Sequence, residues 1–246
     1  GGDLRVGGLI PGAAPSSGSM QYATGLLTIT DTTDVSVSGS VNIAEGYANG
    51  SGSVQSSAQV ELTLVDTFTV TNGLSLSVAV VNDTGLVDAD GTLSLTGVDQ
   101  GVITGDVDLG SAYLDNSTGS GTATGDTWCS CLMDTINSLS IGGDLNLASP
   151  VASANESLTC SVLLNMNEIG SFNVDGSVNF LKGSTSGLGA NAGYTHQSAD
   201  MYLSKCDVYF NGGFYANDLS VNDDAQVEVS SGLIVTEAVV FAGVEM

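Results

Sequence analysis

The sequence predicts an all-β fold, a sandwich or solenoid of antiparallel or mixed sheets with at most one short helix. Three observations carry this. Apolar and small polar residues alternate with a period of two, as in Val35-Ser-Val37-Ser and Leu139-Ser-Ile141, which sends successive side chains to opposite faces of a strand. Gly, Asn and Asp clusters separate the alternating runs. Of the 27 acidic residues 20 are Asp, a residue suited to turns where Glu suits helices.

Taken in order, residues 1–24 are rich in Gly, Ala, Pro and Ser and hold Pro11 and Pro15, two of the three prolines. They read as an N-terminal arm or linker. A β domain follows over 25–246. Its expected strands are 26–30, 35–43, 60–70, 74–81, 92–98, 102–109, 139–147, 158–166, 171–180, 201–210, 219–229 and 233–241. Turn-rich pieces at 49–53, 82–85, 115–125, 183–193 and 211–213 punctuate them. At most one helix is expected, at 126–137, where Asp126 would cap a segment with Trp128, Cys131, Leu132, Thr135 and Ile136 on one face. As a helix this segment points Cys129 and Cys131 apart, and as a strand it points them to the same side. The stretch 110–138 is a candidate split between two lobes.

A short pattern recurs. Val35-Ser-Val37-Ser-Gly39-Ser-Val41-Asn-Ile43 matches residues 139–147 and 172–180, with a partial copy at 103–109. The Gly is expected to leave a notch in an apolar face, for a bulky neighbour, a bend or a close backbone approach. The copies start at irregular spacings, which argues against a strict solenoid repeat.

Charge excludes several functions. Arg5, Lys182 and Lys205 are the only basic residues besides His196, and the formal net charge is −24. Such a surface repels nucleic acid and anionic membranes and favours divalent cations. Mean hydropathy is nevertheless +0.25, so this is not an acidic disordered tail. Nearly lysine-free strands lack one common guard against edge-to-edge joining. No apolar run is long enough for a membrane span.

Enzyme signatures are absent: no G-x-S-x-G, P-loop, H-E-x-x-H or dinucleotide fingerprint occurs. His196, in Gly-Tyr-Thr-His-Gln, reads as a loop or surface residue, and no catalysis is expected. No cofactor is expected except Ca²⁺, for which Asp88 and Asp90, in an acid-rich turn before Gly91, are the candidate ligands. Asp106-Val-Asp108 and Asn222-Asp223-Asp224 are weaker versions.

Cys129, Cys131, Cys160 and Cys206 form an even set. Buried thiols and two disulfides are both structural readings. In an oxidising compartment Cys129 and Cys131 are each expected to join one of Cys160 and Cys206, the pairing left open. Sequons at Asn49, Asn82, Asn116 and Asn155 point to an extracellular, cell-surface glycoprotein. The strands 60–70, 219–229 and 233–241 lack Lys and Pro and are candidate assembly edges. Leu233, Val235, Val239 and Phe241 are the residues expected to dock on a second copy.

The acidic, lysine-poor, small-residue composition, with its sequons and cysteines, resembles archaeal and bacterial envelope polymers, the methanogen sheath and surface-layer type above all. That resemblance implies a non-catalytic, self-assembling homopolymer subunit with β contacts and covalent or glycan reinforcement. Other readings are a secreted adhesin or ligand-binding β module, for which Tyr202, Tyr209, Phe210, Phe214 and Tyr215 are the aromatic cluster to inspect, a secreted hydrolase, and a viral structural protein.

Overall fold

The computed structural model describes residues 2–8, 20–82, 84–115, 123–152, 156–180, 195–222, 226–229 and 233–242. They form sixteen strands and, among the described residues, no helix: β1 (Leu4–Val6), β2 (Met20–Val37), β3 (Val41–Asn49), β4 (Ser53–Val70), β5 (Leu74–Asn82), β6 (Leu86–Ile103), β7 (Val107–Asp115), β8 (Ala123–Ile136), β9 (Ser138–Ile141), β10 (Leu145–Ala152), β11 (Glu156–Val174), β12 (Val178–Phe180), β13 (Thr195–Phe210), β14 (Phe214–Asn222), β15 (Gln226–Val229) and β16 (Leu233–Ala242).

The chain winds as a β-solenoid. Each coil has a long side and a short side, and each strand pairs with its counterpart one coil on. Ser53 lies beside Met20 and Leu86 beside Ser53. Gln55 and Asp88, bonded to each other across one such step, are 33 residues apart, which is the length of a regular coil. The long sides stack as β2–β4–β6–β8/β9–β11–β13, and the short sides as β1–β3–β5–β7–β10–β12–β14. Every pairing among the described strands is parallel, as in β4–β6, β8–β11 and β7–β10, not antiparallel or mixed. Parallel pairing requires a crossover, and here the rest of the coil provides it.

The recurring pattern is the coil itself. Copies begin at Val35, Phe68, Gly101, Leu139, Phe172, Val208 and Val227. Their spacing looks irregular because two coils are longer than the rest. In the third, from Leu86 to Thr124, the bonded pair Asp99 and Asn137 is 38 residues apart. In the fifth, from Leu158 to Thr195, the bonded pair Glu168 and Lys205 is 37 residues apart. The expectation of no regular repeat is therefore corrected. The recurrent Gly lies in a three-residue corner between long and short sides, where the bend and the close backbone approach expected of it are found. These corners stack into a hydrogen-bonded spine, in which Gly143 N donates to Gly105 O (3.2 Å), Gly176 N to Gly143 O (3.0 Å) and Gly212 N to Gly176 O (3.1 Å). A Cβ at Gly176 would sit 2.5 Å from Gly143 O, leaving no room for any side chain. The Asp106 carboxylate accepts from Asp144 N and that of Asp144 from Ser177 N, both at 2.8 Å.

Two further columns shape the cross-section. Asp31, Leu64, Gly97, Thr135, Glu168 and Lys205 share φ between 52° and 63°, and Gly7, Ala44, Ser77, Gly110 and Ala148 share φ between 53° and 66°. At Leu64 two successive residues face outward before alternation resumes with buried Val65. The left-handed residue thus turns the strand and resets which parity faces the core. A non-Gly residue there costs roughly 1–2 kcal/mol. Each fully buried Leu or Ile contributes about 1.5–3 kcal/mol. Stacks such as Leu76, Leu109 and Leu147, all fully buried and in register, therefore outweigh the bends.

The core lies between the two sides. Phe172 meets Phe210 edge-on at 6.3 Å, and Phe210 stacks on Phe214 at 5.0 Å. Buried polar groups form ladders: Asn179 Nδ2 donates to Asn146 Oδ1 (2.9 Å), and Asn146 Nδ2 to Asp108 Oδ1 (2.8 Å).

Several sequence expectations change. Of the two readings of 126–137 the extended one holds: the segment is part of β8 and the single residue, Asn137, that links it to β9. Thr127, Cys129, Cys131 and Met133 point inward while Trp128 and Leu132 are exposed, so the period of two prevails over the 3.6 period. Within the expected arm, Leu4–Val6 pairs with β3, and residues 20–24 belong to β2. The stretch 110–138 carries β8 in mid-stack between β6 and β11. Residues 219–229 divide between β14 and β15. The last coil is cut short. Asp207 pairs with Gln226 and Phe214 with Leu233, far less than a full coil further on, and β14 crosses over to pair with Tyr202–Ser204 of β13. The stack therefore tapers at its C-terminal end.

Candidate binding and assembly surfaces

The outer face of the long side is built by parity. Odd residues of β4 such as Ser57 and Gln59 face outward, and register aligns them with even residues of β6 and β8. Asp88 lies beside Asp126 and Asp90 beside Trp128. The four make a rectangle about 4.8 Å by 6.6 Å, from strand spacing and the two-residue rise. Trp128, the single tryptophan, is 49% exposed. Its strand is pinned from inside, where Ser77 Oγ, on a left-handed bend of β5, donates to Trp128 O at 2.7 Å. Partial burial, then the charges of Asp88 and Asp126, push the Asp90 carboxyl above its ordinary value.

A groove of about 460 Å³ runs across the first coils between outward columns, with Thr24, Ser57, Gln59, Asp90, Thr92 and Trp128 among its walls. A smaller one of about 190 Å³ lies beside it, bounded by Tyr22, Gln55 and Asp88 and sharing the Thr24–Ser57–Asp90 ridge. Gln55 Nε2 donates to Asp88 Oδ2 at 3.3 Å.

The Ca²⁺ candidates Asp88 and Asp90 are therefore not in a turn. Both lie within β6, side by side on the outer face, and among the described residues no group of three His, Cys, Asp or Glu side chains is placed to hold a metal. Asp106 and Asp108 already accept hydrogen bonds from the next coil. Asn222 ends β14, and Asp223 and Asp224 lie outside the described residues.

All four cysteines are free buried thiols. The expected bridges are not formed, and register explains why. Cys160 pairs with Thr127 and Cys131 with Leu164, leaving Cys131 and Cys160 four residues out of step. Cys206 pairs with Ile169, which pairs with Ile136, five residues beyond Cys131. At roughly 3.3 Å per residue these offsets exceed disulfide reach. Even Cys129 and Cys160, two residues and one coil apart, lie about 8 Å apart by the same spacing. Burial raises all four thiols, Cys131 to about 12 and Cys160 to about 11.

Two of the sequons share one location in the coil. Asn49 and Asn82 are exposed at the ends of β3 and β5, where short side passes to long side, and Asn82 Nδ2 donates to Asn49 Oδ1 at 2.8 Å. Asn116 and Asn155 fall outside the described residues, in the links that follow β7 and β10.

The aromatic cluster is not one patch. Phe210 and Phe214 are fully buried, whereas Tyr202, Tyr209 and Tyr215 are exposed. His196 belongs to β13, in register with Thr159.

Of the candidate edges, 60–70 is corrected: it lies within β4, covered by β2 and β6. β16 is the last short-side rung, placing Leu233 beside Phe214, Val235 beside Ala216, Val239 beside Leu219 and Phe241 beside Val221. The longest edge was not anticipated. β2 runs 18 residues and pairs only with β4 among the described strands. It has no Lys or Pro, and Met20, Tyr22 and Leu26 are exposed along it. The sequence signal was the lysine-free alternation from Met20, obscured by assigning 1–24 to an arm.

No protein-family model, curated protein or solved structure matches the chain.

Proposed function

We propose that the protein is a structural subunit of an extracellular assembly, a filament, sheath or surface layer, joined through strand contacts at the ends of its solenoid. The observation that carries this reading is the β2 edge. It offers 18 residues of main chain without Lys or Pro, interrupted by charge only at Asp31 and Asp34 and by a bend at Asp31, and the partly buried Leu27, Ile29 and Val35 pack on the core from that end. A free edge of this length templates another strand. Contact between a β2 end and a β16 end is heterologous and propagates where the rotation does not close. Reinforcement comes from main-chain pairing, since the thiols are dispersed. Divalent cations enter as diffuse counterions that relieve repulsion between subunits of charge −24.

The test places lysines on the β2 edge at exposed positions, Thr30→Lys with Ser36→Lys, and follows sedimentation and negative-stain microscopy with and without chelator. Assemblies should be lost in the variant and loosened by chelator, with the melting curve of the single subunit unchanged. Assemblies of normal size and shape in the variant would rule the edge out.

A further inference from the structure

We infer that the groove on the outer face of the first coils binds a neutral oligosaccharide, with Trp128 as its stacking platform. This does not rest on the assembly reading and concerns a different surface of the subunit.

The groove has the parts a sugar chain needs. Pyranose rings present an apolar face and a rim of hydroxyls. Trp128 supplies a large, half-exposed aromatic surface at one wall of a groove whose floor is made mostly of small polar residues. Aromatic side chains with one open face are suited to such stacking. Leu26, 70% exposed, supplies a second apolar contact at the far wall. Between them stand the hydroxyls of Thr24, Ser57 and Thr92, the Gln59 amide and the Asp90 carboxylate. These donors and acceptors repeat with the strand spacing, about 4.8 Å, along the groove. A linear polyol with hydroxyls at short, regular intervals can meet several of them together.

Charge selects within the class. Asp88, Asp90 and Asp126 border the platform, so sulfated or uronic-acid glycans are repelled and uncharged ones are not. A lone ammonium or guanidinium would match only the acidic end and leave Ser57, Gln59 and Thr92 unused. A polyol uses the whole length. Preorganisation favours binding, because Ser57, Gln59, Asp90, Thr92 and Trp128 are strand residues held in register on both sides, Thr24 and Leu26 are held on one, and Trp128 is anchored through its carbonyl by Ser77.

The single tryptophan makes the site report on itself. Intrinsic fluorescence of the full chain is titrated with cellohexaose, chitohexaose, maltohexaose, a heparin hexasaccharide and hexalysine, with calorimetry in parallel. At least one neutral sugar should shift or quench Trp128 emission, insensitive to salt, and heparin should not. By calorimetry Trp128→Ala should weaken that binding about ten-fold or more, Trp128→Phe less, and Asp90→Asn measurably. Circular dichroism and melting of each variant establish that it is folded. No response to any neutral sugar overturns the inference, as does equal affinity in folded Trp128→Ala. A salt-sensitive response to hexalysine alone also overturns it and assigns the groove to a cationic partner. Binding is read on the dispersed Thr30→Lys/Ser36→Lys subunit as well, whose changes lie outside the groove, so a failed assembly experiment leaves this result standing.

Discussion

Each coil has two kinds of corner, and they treat length in opposite ways. The corner from long side to short side is three residues in coil after coil, at 38–40, 71–73, 104–106, 142–144, 175–177 and 211–213. Its glycines stack so closely that each N–H reaches the carbonyl below. The corner from short side to long side varies: three residues between β3 and β4, seven between β7 and β8, and fourteen between β12 and β13. Asn49 and Asn82 end the strands that lead into this second corner, and Asn116 and Asn155 follow β7 and β10 in sequence. The closed corner sets the register of the stack, and the second, open corner absorbs the differences in length. Loops tolerate length where their backbone meets water and resist it where their backbone pairs.

The contrast can be broken most forcefully at Gly176. Gly176→Val drives a side chain into Gly143 O and should cost about 3 kcal/mol, the upper end for overpacking. A Gly-Ser insertion after Gly119, in the seven-residue link between β7 and β8, should cost about 0.6 kcal/mol or less. Urea unfolding of both measures the difference, and equal losses would erase the distinction between the corners.

A smaller effect is expected one step from the closed corner. Asn146→Ala removes the middle rung between Asp108 and Asn179. It should cost about 1–3 kcal/mol, because both neighbours lose a buried partner. Asn82→Ala at the open corner breaks a similar bond in an exposed setting and should cost less. Parallel urea titrations decide the order.

The smallest effect is a pH dependence. Burial raises the Glu45 carboxyl above its ordinary value, with Arg5 opposing and Asp3 adding to the rise. Arg5 Nη1 nevertheless donates to Glu45 Oε2 at 3.0 Å, so desolvation outweighs the pair. In the window between the ordinary value, 4.5, and the raised one, the folded chain binds more protons than the unfolded chain. Stability through this group therefore falls as pH rises across the window and increases on mild acidification. Asp90 acts in the same sense. Glu45→Gln should flatten the slope of melting temperature against pH, and an unchanged slope would remove Glu45 as its source.

Strand content was legible because alternation is local: Val54, Ala58, Val60 and Leu62 are buried as their spacing implies, and the parity changes at the Leu64 bend. That Cys129 and Cys131 share one side follows from the extended reading of 126–137, and the structure makes that side the inner one. Parallel pairing was not legible, because the partner of each residue lies a whole coil away and nothing near it records that distance. The solenoid period was present in the Val35, Leu139 and Phe172 copies but blurred by insertions at 116–122 and 181–194. For the same reason Asp90 and Trp128, separated in sequence by the longest coil, gave no sign of being neighbours. The left-handed columns were hidden for another reason. Leu64, Thr135 and Glu168 are not residues that advertise a bend, and the fold imposes the conformation on them.

The constant coil makes length a matter of copy number. Because the closed corner and both bend columns recur with the coil, duplicating or deleting one whole coil between equivalent points leaves every remaining neighbour in register. The molecule would lengthen or shorten by one strand spacing, about 4.8 Å. Any other increment must be confined to the open corner, as the extra residues of the third coil are. Such a chain works as a ruler graduated in whole coils, and its reach can evolve without its cross-section being redesigned.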